Sequence, residues 1–332
     1  MAGAPSEPTR SQAAEPPRPE LSIVVPVLNE AHNVEPLHAE LATALDQMGA
    51  HAEILFIDDG STDDTFDRLR AIQAADTRVK VIRLRRNYGQ AAALTAGFDA
   101  AGGRVVVPMD GDLQNDPADI PRLLARLDEG YDVVCGWRRD RKDAWLTRRL
   151  PSHVANGLIR LVTGVKLHDV GCTLKAYRRE LLEGVALYGE MHRFVPAILS
   201  GRGARITEIE VNHRPRTRGR TKYGLGRTFR VLLDLLTVKF LLRYLTCPLH
   251  FFGAAGLLTW LAAAASGIAV VWMKLFRGWD MTGNPLLLLT ALLILMGAQF
   301  VGMGILCELL VRVYHEPRAK PVYMIADVLK TH

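Results

Sequence analysis

Two stretches without a single Asp, Glu, Lys or Arg constrain this chain more than any other feature: Pro248 to Met273, 26 residues, and Pro285 to Cys307, 23 residues. A helix needs about 20 apolar residues to cross the hydrocarbon core of a bilayer, so each run is long enough to span one and longer than a globular core requires. Only Lys274 to Asn284 separates them, and Gly278, Gly283 and Asn284 in that connection predict a helical hairpin. Arg227, Arg230, Lys239 and Arg243 precede the first run, and Arg312, Arg318 and Lys320 follow the second, against Lys274 and Arg277 between them. Positive charge collects on the cytoplasmic side of spanning helices, which places both ends of the hairpin there. Ala298, Gly302 and Gly304 give the second helix a small-residue face for close packing.

The hairpin accounts for a composition that is 49% hydrophobic yet 23% charged. Residues 1–20 carry Pro5, Pro8, Pro16, Pro17 and Pro19 with no apolar h-region, and are expected to be a disordered tail instead of a signal peptide. Cys135, Cys172, Cys247 and Cys307 lie far apart with no CxxC spacing, against a zinc module or a disulfide framework. The net charge of +6 is local: between Asn212 and Tyr244 nine Lys and Arg face one acid, Asp234, and the rest of the chain is slightly acidic. A basic strip just before an apolar region fits a membrane surface or phosphate groups, and not a nucleic-acid groove. Residues 225–245 mix Phe229, Leu232, Leu233, Leu236, Phe240 and Leu241 with charged residues at helical spacing, predicting an amphipathic helix at the interface or, equally, a docking helix of the preceding domain.

The first two hundred residues alternate strands and helices. LSIVVPV (Leu21 to Val27) and AEILFI (Ala52 to Ile57) read as buried strands flanking a helix over Asn33 to Met48, a βαβ unit. A second helix starts in the polar cluster Ser61 to Asp64. Strand Val79 to Leu84, helix Gln90 to Ala101, strand Arg104 to Met109, helix Pro117 to Glu129 and strand Asp132 to Cys135 continue the pattern. The fold class is therefore α/β, an open, mostly parallel, Rossmann-like sheet, followed by the interface helix and the hairpin. Ligands bind such sheets at the carboxyl ends of the strands. Those ends carry Asn29-Glu30, Asp58-Asp59-Gly60-Ser61 and Asp110-Gly111-Asp112-Leu113-Gln114, with neither GxGxxG nor a P-loop. An acidic crevice repels a phosphorylated ligand unless a cation mediates. Asp110, Asp112 and the neutral oxygen of Gln114 are hard ligands suited to Mg²⁺ or Mn²⁺, with diphosphate oxygens completing the shell. Asp-x-Asp alone recurs by chance in a chain with 35 acids, and by itself it reads as a polar turn as readily as a metal site.

Six motifs in order, VVPVLNE, FIDDGSTDDT, RLRRNYGQAAALTAGFDAA, MDGDLQNDP, DVGCTLKAYRRE and RTRGRTKYG, followed by two spans, resemble the family 2 glycosyltransferases that load a sugar onto a polyprenyl phosphate. The likeness covers about Leu21 to Tyr323. It is closest to bacterial glucosyl and aminoarabinosyl transferases that use undecaprenyl phosphate, while the dolichyl-phosphate mannose synthases share the catalytic half. It implies a GT-A catalytic domain over 21–224, spans within 246–312, a cytoplasmic segment over 313–332, and an inverting, metal-dependent enzyme of the bacterial inner membrane with its catalytic domain and both termini cytoplasmic.

The resemblance also assigns roles. Pro26, Asn29 and Glu30 hold the nucleoside, Glu30 at the ribose, and Asp58 or Asp59 meets the base edge. Asp110, Asp112 and Gln114 form the metal site. Arg138 contacts the donor, although Trp137 stands where the family often has Ser, and Arg216 and Lys222 belong to a loop closing over the diphosphate. Asp169 matches the family's candidate base. A phosphate monoester is already largely anionic at neutral pH, so orienting the acceptor or supporting the developing sugar cation is the role expected of it. Arg193 in EMHRF is a candidate for the acceptor phosphate. The expected partners are a nucleotide sugar, with UDP-glucose in first place and GDP-mannose as the alternative, a polyprenyl phosphate, the membrane and further copies of the chain, relatives tending to be tetramers. A processive β-glycan synthase is disfavoured because none of the five Trp lies in Gln-x-x-Arg-Trp. A scaffold without activity should have lost some of Asp59, Asp110, Asp112 and Asp169, and all four are present.

Overall fold

LSIVVPV and AEILFID are buried at almost every residue, the mark of strands covered on both faces, where alternation disappears because neither face meets water. A computed structural model describes residues 18–139, 165, 167–185, 187, 189, 191–215, 248–280, 282–314 and 324–329. The two segments are β1 (Leu21–Val27) and β2 (Ala52–Asp58), paired in parallel and joined by α1 (Val34–Met48). The chain continues through α2 (Thr65–Ala75), β3 (Val79–Leu84), α3 (Gln90–Ala100) and β4 (Val105–Pro108). The helix expected over Pro117 to Glu129 divides into a 3-10 turn, Pro117–Asp119, and α4 (Ile120–Asp128), both with Pro in the first turn. Next come β5 (Val133–Trp137), β6 (Lys175–Arg178), a 3-10 turn at Met191–Phe194, α5 (Val195–Gly201) and β7 (Ile206–Glu210).

These strands form one sheet in the order β7-β5-β6-β4-β1-β2-β3, with β8 (Ile325–Leu329) added beside β3. The β1–β2, β1–β4, β2–β3 and β5–β7 pairs are parallel, and β6 lies antiparallel between β4 and β5. One apolar layer unites Leu37, Leu41, Phe66, Leu69 and Leu123 from α1, α2 and α4 with the sheet. The other unites Leu94 and Phe98 of α3 with Phe194, Val195 and Leu199. Two layers of helix over a parallel sheet leave the strand ends as its open edge, and the acids sit there.

Two helices of 30 residues each follow, α6 (Pro248–Arg277) and α7 (Pro285–Tyr314). Their most apolar windows are only 17% and 6% buried, so the hairpin is not the core of a soluble bundle. Leu258, Ile268, Leu275, Leu288 and Leu295 point outward at 63–71% exposure, a surface that lipid tolerates and water does not. On α6 the buried residues Gly256, Ala263 and Val270 recur every seven positions, a narrow seam facing α7. Trp260 donates its indole N–H to the Ile294 carbonyl at 3.1 Å. Beyond the hairpin β8 pairs antiparallel with β3, so part of the expected C-terminal segment 313–332 belongs to the catalytic sheet. The expected interface helix 225–245 and the tail up to residue 17 lie outside the described residues.

Candidate active site

The ladder between β1 and β4 ends at Val24, so Pro26 stands beyond it, where the missing N–H interrupts no pairing with β4. Asn29 follows with φ +55, a conformation rare outside glycine, which its short amide tolerates by local hydrogen bonding. Its Oδ1 accepts the Thr62 N–H at 2.8 Å, and its own N–H donates to Ser61 Oγ at 2.9 Å. The Glu30 N–H donates to Thr65 Oγ1 at 2.9 Å, and its carboxylate accepts Asn33 Nδ2 at 2.5 Å. Asp63 accepts the N–H of Thr65 at 3.1 Å, so the expected polar cap of α2 comes from this residue, while Asp64 at the cap position makes no such bond. The ends of β1 and β2 are thereby stitched into one rim.

Asp58 and Asp59 are both buried. Asp58 accepts the Ser61 N–H at 2.9 Å through one oxygen, and its other oxygen faces Arg83 Nε at 3.4 Å. Asp59 accepts the backbone N–H groups of Tyr88 and Gly89 at 2.7 and 2.9 Å, fastening the end of β2 to the end of β3. Burial pushes its carboxyl above the usual range, those two bonds work against the rise, and the neighbouring Asp58 adds to it. Gly60, at φ +70, lies so close to Arg86 that a Cβ there would fall 2.5 Å from its carbonyl carbon.

The acidic turn follows β4. Asp110 accepts Gln90 Nε2 at 2.9 Å and Thr173 Oγ1 at 2.7 Å. Its carboxyl is raised, first by burial and then by the charge of Asp112. Asp112 is buried and accepts the Gln114 N–H at 3.2 Å. Leu113 between them has φ +62, a strained geometry for a branched side chain. The Gln114 side-chain amide donates to the Arg214 carbonyl at 3.4 Å. Among the described residues no group of three or more His, Cys, Asp or Glu side chains gathers to hold an ion. Two neighbouring carboxylates at an open strand end, Asp112 buried and Asp110 partly so, with too few protein ligands for a closed shell, fit a divalent cation that a ligand's phosphates help to bind.

Opposite the turn, Asp169 is buried and bound bidentately by Arg138, Nε to Oδ2 at 2.6 Å and Nη2 to Oδ1 at 3.0 Å. Burial alone disfavours the Arg138 charge, but Asp169 outweighs it and holds the guanidinium above its ordinary value. The residue expected to touch the donor thus orients the candidate base in this structure. Gly171 leaves room for the pair, since a Cβ there would meet Arg138 Nη2 at 3.4 Å. Trp137 stacks on His168 with ring centroids 4.5 Å apart, and His168 also bonds Glu208, giving the wall beside Arg138 its shape. Arg193 lines a cavity behind the loop 170–173. Arg216 and Lys222 lie outside the described residues. Gln90, Thr173 and Lys175 were not singled out from sequence, although all three stand inside the motifs quoted above. Their signal is polar chemistry within otherwise apolar elements, which only the partner across the crevice makes meaningful.

The profile of the "Glycosyl transferase family 2" matches residues 22–185. The chain is 43% identical over 313 residues, 93% of each chain, to a "Dodecaprenyl-phosphate galacturonate synthase" of Rhizobium johnstonii. It is 39% identical, over 94% of this chain and 95% of the relative, to an "Undecaprenyl-phosphate 4-deoxy-4-formamido-L-arabinose transferase" of Edwardsiella ictaluri. In structure it is similar to glucosyl-3-phosphoglycerate synthase of Mycobacterium tuberculosis, solved with Mn²⁺, UDP and glucosyl-3-phosphoglycerate: TM-score 0.53, 24% identity, covering 67% of this chain and 80% of that one. That likeness carries the fold.

Proposed function

Because this chain belongs to glycosyl transferase family 2, we propose that it transfers a sugar, with inversion, from a UDP-sugar to a polyprenyl phosphate at the cytoplasmic face of a bacterial inner membrane. One observation carries the reading. Thr173 fastens the loop that begins at Asp169 to Asp110, so the acidic turn and the Arg138–Asp169 pair face one crevice at the strand ends. A leaving diphosphate needs a cation and an attacking phosphate needs an oriented neighbour, and the crevice sets carboxylates that would hold the first beside the Arg138–Asp169 pair that would serve the second. The long relatives that match over nine-tenths of the chain act on polyprenyl phosphates, and the hairpin supplies the membrane in which such a lipid resides.

Asp112, with Asp110 beside it, would hold Mg²⁺ or Mn²⁺, which when bound supplies positive charge to the departing diphosphate. The rim at Asn29, Glu30, Asp58 and Asp59 receives the nucleoside. Asp59 uses both oxygens to set the loop at Tyr88 and Gly89, and through that loop it shapes the base pocket. A phosphate oxygen of the lipid attacks the anomeric carbon, the bond to the diphosphate breaks, and its electron pair leaves with the nucleotide. At neutral pH the attacking phosphate is already ionised, so Asp169, with both oxygens held by Arg138, serves to orient and to balance charge, with no proton to remove. Arg216 and Lys222, in the basic strip after Arg214, close over the diphosphate and exclude water.

The test incubates the purified full chain with undecaprenyl phosphate, Mn²⁺ and a panel of UDP- and GDP-sugars, followed by mass spectrometry of the lipid fraction. A lipid one glycosyl unit heavier supports the reaction. Release of free sugar alone, or no product with any donor, removes it.

A further inference from the structure

A carboxylate holds a cation well only if it is already aimed where the ligand's phosphates arrive, and the turn that carries Asp112 is strained at Leu113, φ +62. On one side the turn is tied at Asp110 to Gln90 and Thr173. On the other side it is tied to a segment 100 residues further along the chain. The Arg214 N–H donates to the Gln114 carbonyl at 2.9 Å, the Gln114 side-chain amide donates back to the Arg214 carbonyl at 3.4 Å, and Asn115 and His213 form an antiparallel bridge between the same segments. Because Asp112 accepts the Gln114 N–H at 3.2 Å, whatever fixes Gln114 also fixes the aim of that carboxylate. The partly buried guanidinium of Arg214 completes the tie. Its Nη1 donates to Glu40 Oε2 of α1 at 2.7 Å, and its Nη2 meets Asp116 Oδ1 at 3.0 Å. Asp116 also accepts the Ala118 N–H at 3.1 Å, so one side chain joins α1, the far end of the acidic turn and the helical turn that follows it.

We propose that Arg214 is a positioning residue of the cation site: by bridging Glu40 and Asp116 it holds the Gln114 end of the acidic turn and so preorganises Asp112 for Mg²⁺ or Mn²⁺. The inference rests on the metal role proposed for Asp112 above. Arg214 stands at the start of the basic strip, where an arginine could instead grip the diphosphate itself. Its geometry argues otherwise, since both terminal nitrogens engage carboxylates of the protein. A planar guanidinium spans two carboxylates in one fixed orientation, which a flexible ammonium does not. Partners that orient a metal ligand without touching the metal commonly change its affinity by 10- to 100-fold. As folding interactions, by contrast, ion pairs this exposed contribute little.

The experiment titrates Mn²⁺ into the full-length protein in lipid nanodiscs with UDP and, in parallel, with GDP, reading free Mn²⁺ by electron paramagnetic resonance, and follows thermal unfolding in EDTA. Arg214→Gln should weaken Mn²⁺ binding by about 10-fold or more, with the unfolding midpoint in EDTA nearly unmoved. Arg214→Lys should retain part of the affinity, because an ammonium can keep one of the two pairs. Glu40→Gln and Asp116→Asn leave the arginine in place but remove its anchors, and should weaken Mn²⁺ in the same direction; they also provide the reading should Arg214→Gln fail to fold. Mn²⁺ bound by Arg214→Gln as tightly as by the wild type overturns the inference. So does weaker nucleotide binding in Arg214→Gln with no change in Glu40→Gln or Asp116→Asn, which would make Arg214 a direct contact of the diphosphate. A midpoint that falls in step with the lost affinity in all these variants overturns it as well, by assigning the bridge to folding. Asp112→Ala is the control: a wild-type protein that binds Mn²⁺ no better than Asp112→Ala with either nucleotide removes the metal site proposed above and the inference with it, whereas a clear difference between those two beside an unaffected Arg214→Gln removes the inference alone.

Discussion

Asp112 and Asp110 differ in their surroundings although one glycine separates them. Asp110 is wrapped by Gln90 and Thr173, whereas Asp112 accepts a hydrogen bond from within its own turn. Asp112→Ala should therefore abolish transfer, as should EDTA; full turnover in EDTA would remove the metal assignment. Asp169→Asn should lower kcat by about 100-fold or more, and raising the pH from 6 to 9 should not restore it, because the acceptor phosphate is already ionised. Recovery at high pH would make Asp169 a base after all. The same substitution breaks a buried ion pair worth about 3–5 kcal/mol when one partner is lost, so thermal unfolding must be followed alongside. The two thiols nearest the site give a pH test. Burial pushes Cys135 up to about 12 and Cys172 up to about 11, from an ordinary 9.0. The folded protein holds these protons more tightly than the unfolded chain. Their contribution to stability is thus complete below pH 9 and is lost as the pH climbs from 9 towards 11–12. At pH 8 neither thiol should react with iodoacetamide until the protein is unfolded, as peptide mass spectrometry will read. Labelling of native Cys172 would contradict its burial.

At the scale of elements, β8 covers the β3 edge with five residues of the C-terminal segment in which the sequence predicts no strand. Ile325–Leu329 has burial only at its last residue, too weak an alternation to distinguish a strand from a solvated segment. Its partner strand defines it. Val328→Pro, opposite Ile82 in the β3–β8 pair, should lower the midpoint of thermal unfolding; an unchanged midpoint would detach β8 from the sheet. In the hairpin, a Cβ on Gly256 would lie 2.9 Å from Val301 Cγ2 and 3.0 Å from the Gly297 carbonyl, so Gly256→Ile should separate the helices and lower the yield of folded protein in detergent. The small-residue face expected on the second helix at Ala298, Gly302 and Gly304 is only partly the contact: Gly304 meets Leu249, a Cβ on Gly302 would meet nothing, and Gly297 takes the indole of Trp260. Which side of a helix faces its neighbour depends on rotation about its axis, and an apolar run that is uniform around that axis does not specify it.

For the whole molecule, β8 bonding to β3 returns the chain to the catalytic sheet after two helices, and the topology proposed for two spans then puts the connection between them on the opposite side of the bilayer. Trp279→Cys should accept a membrane-impermeant maleimide from outside intact inner-membrane vesicles of periplasmic orientation, and Val328→Cys should not; the reverse pattern would invert the proposed topology. The two apolar runs, the alternation of strand and helix, and the acids at three strand ends were legible in the sequence because each depends on local composition and spacing. Burial on both faces writes continuous apolar strands, a hydrocarbon layer writes a length without charge, and a ligand crevice writes polar residues where strands stop. The antiparallel entry of β6 between β4 and β5, the edge strand β8, the bidentate hold of Arg138 on Asp169 and the buried ammonium of Lys175 were decided only in three dimensions. Each joins residues at least 30 positions apart or turns on what fills the space beside a side chain, and no local pattern records a partner that lies that far along the chain.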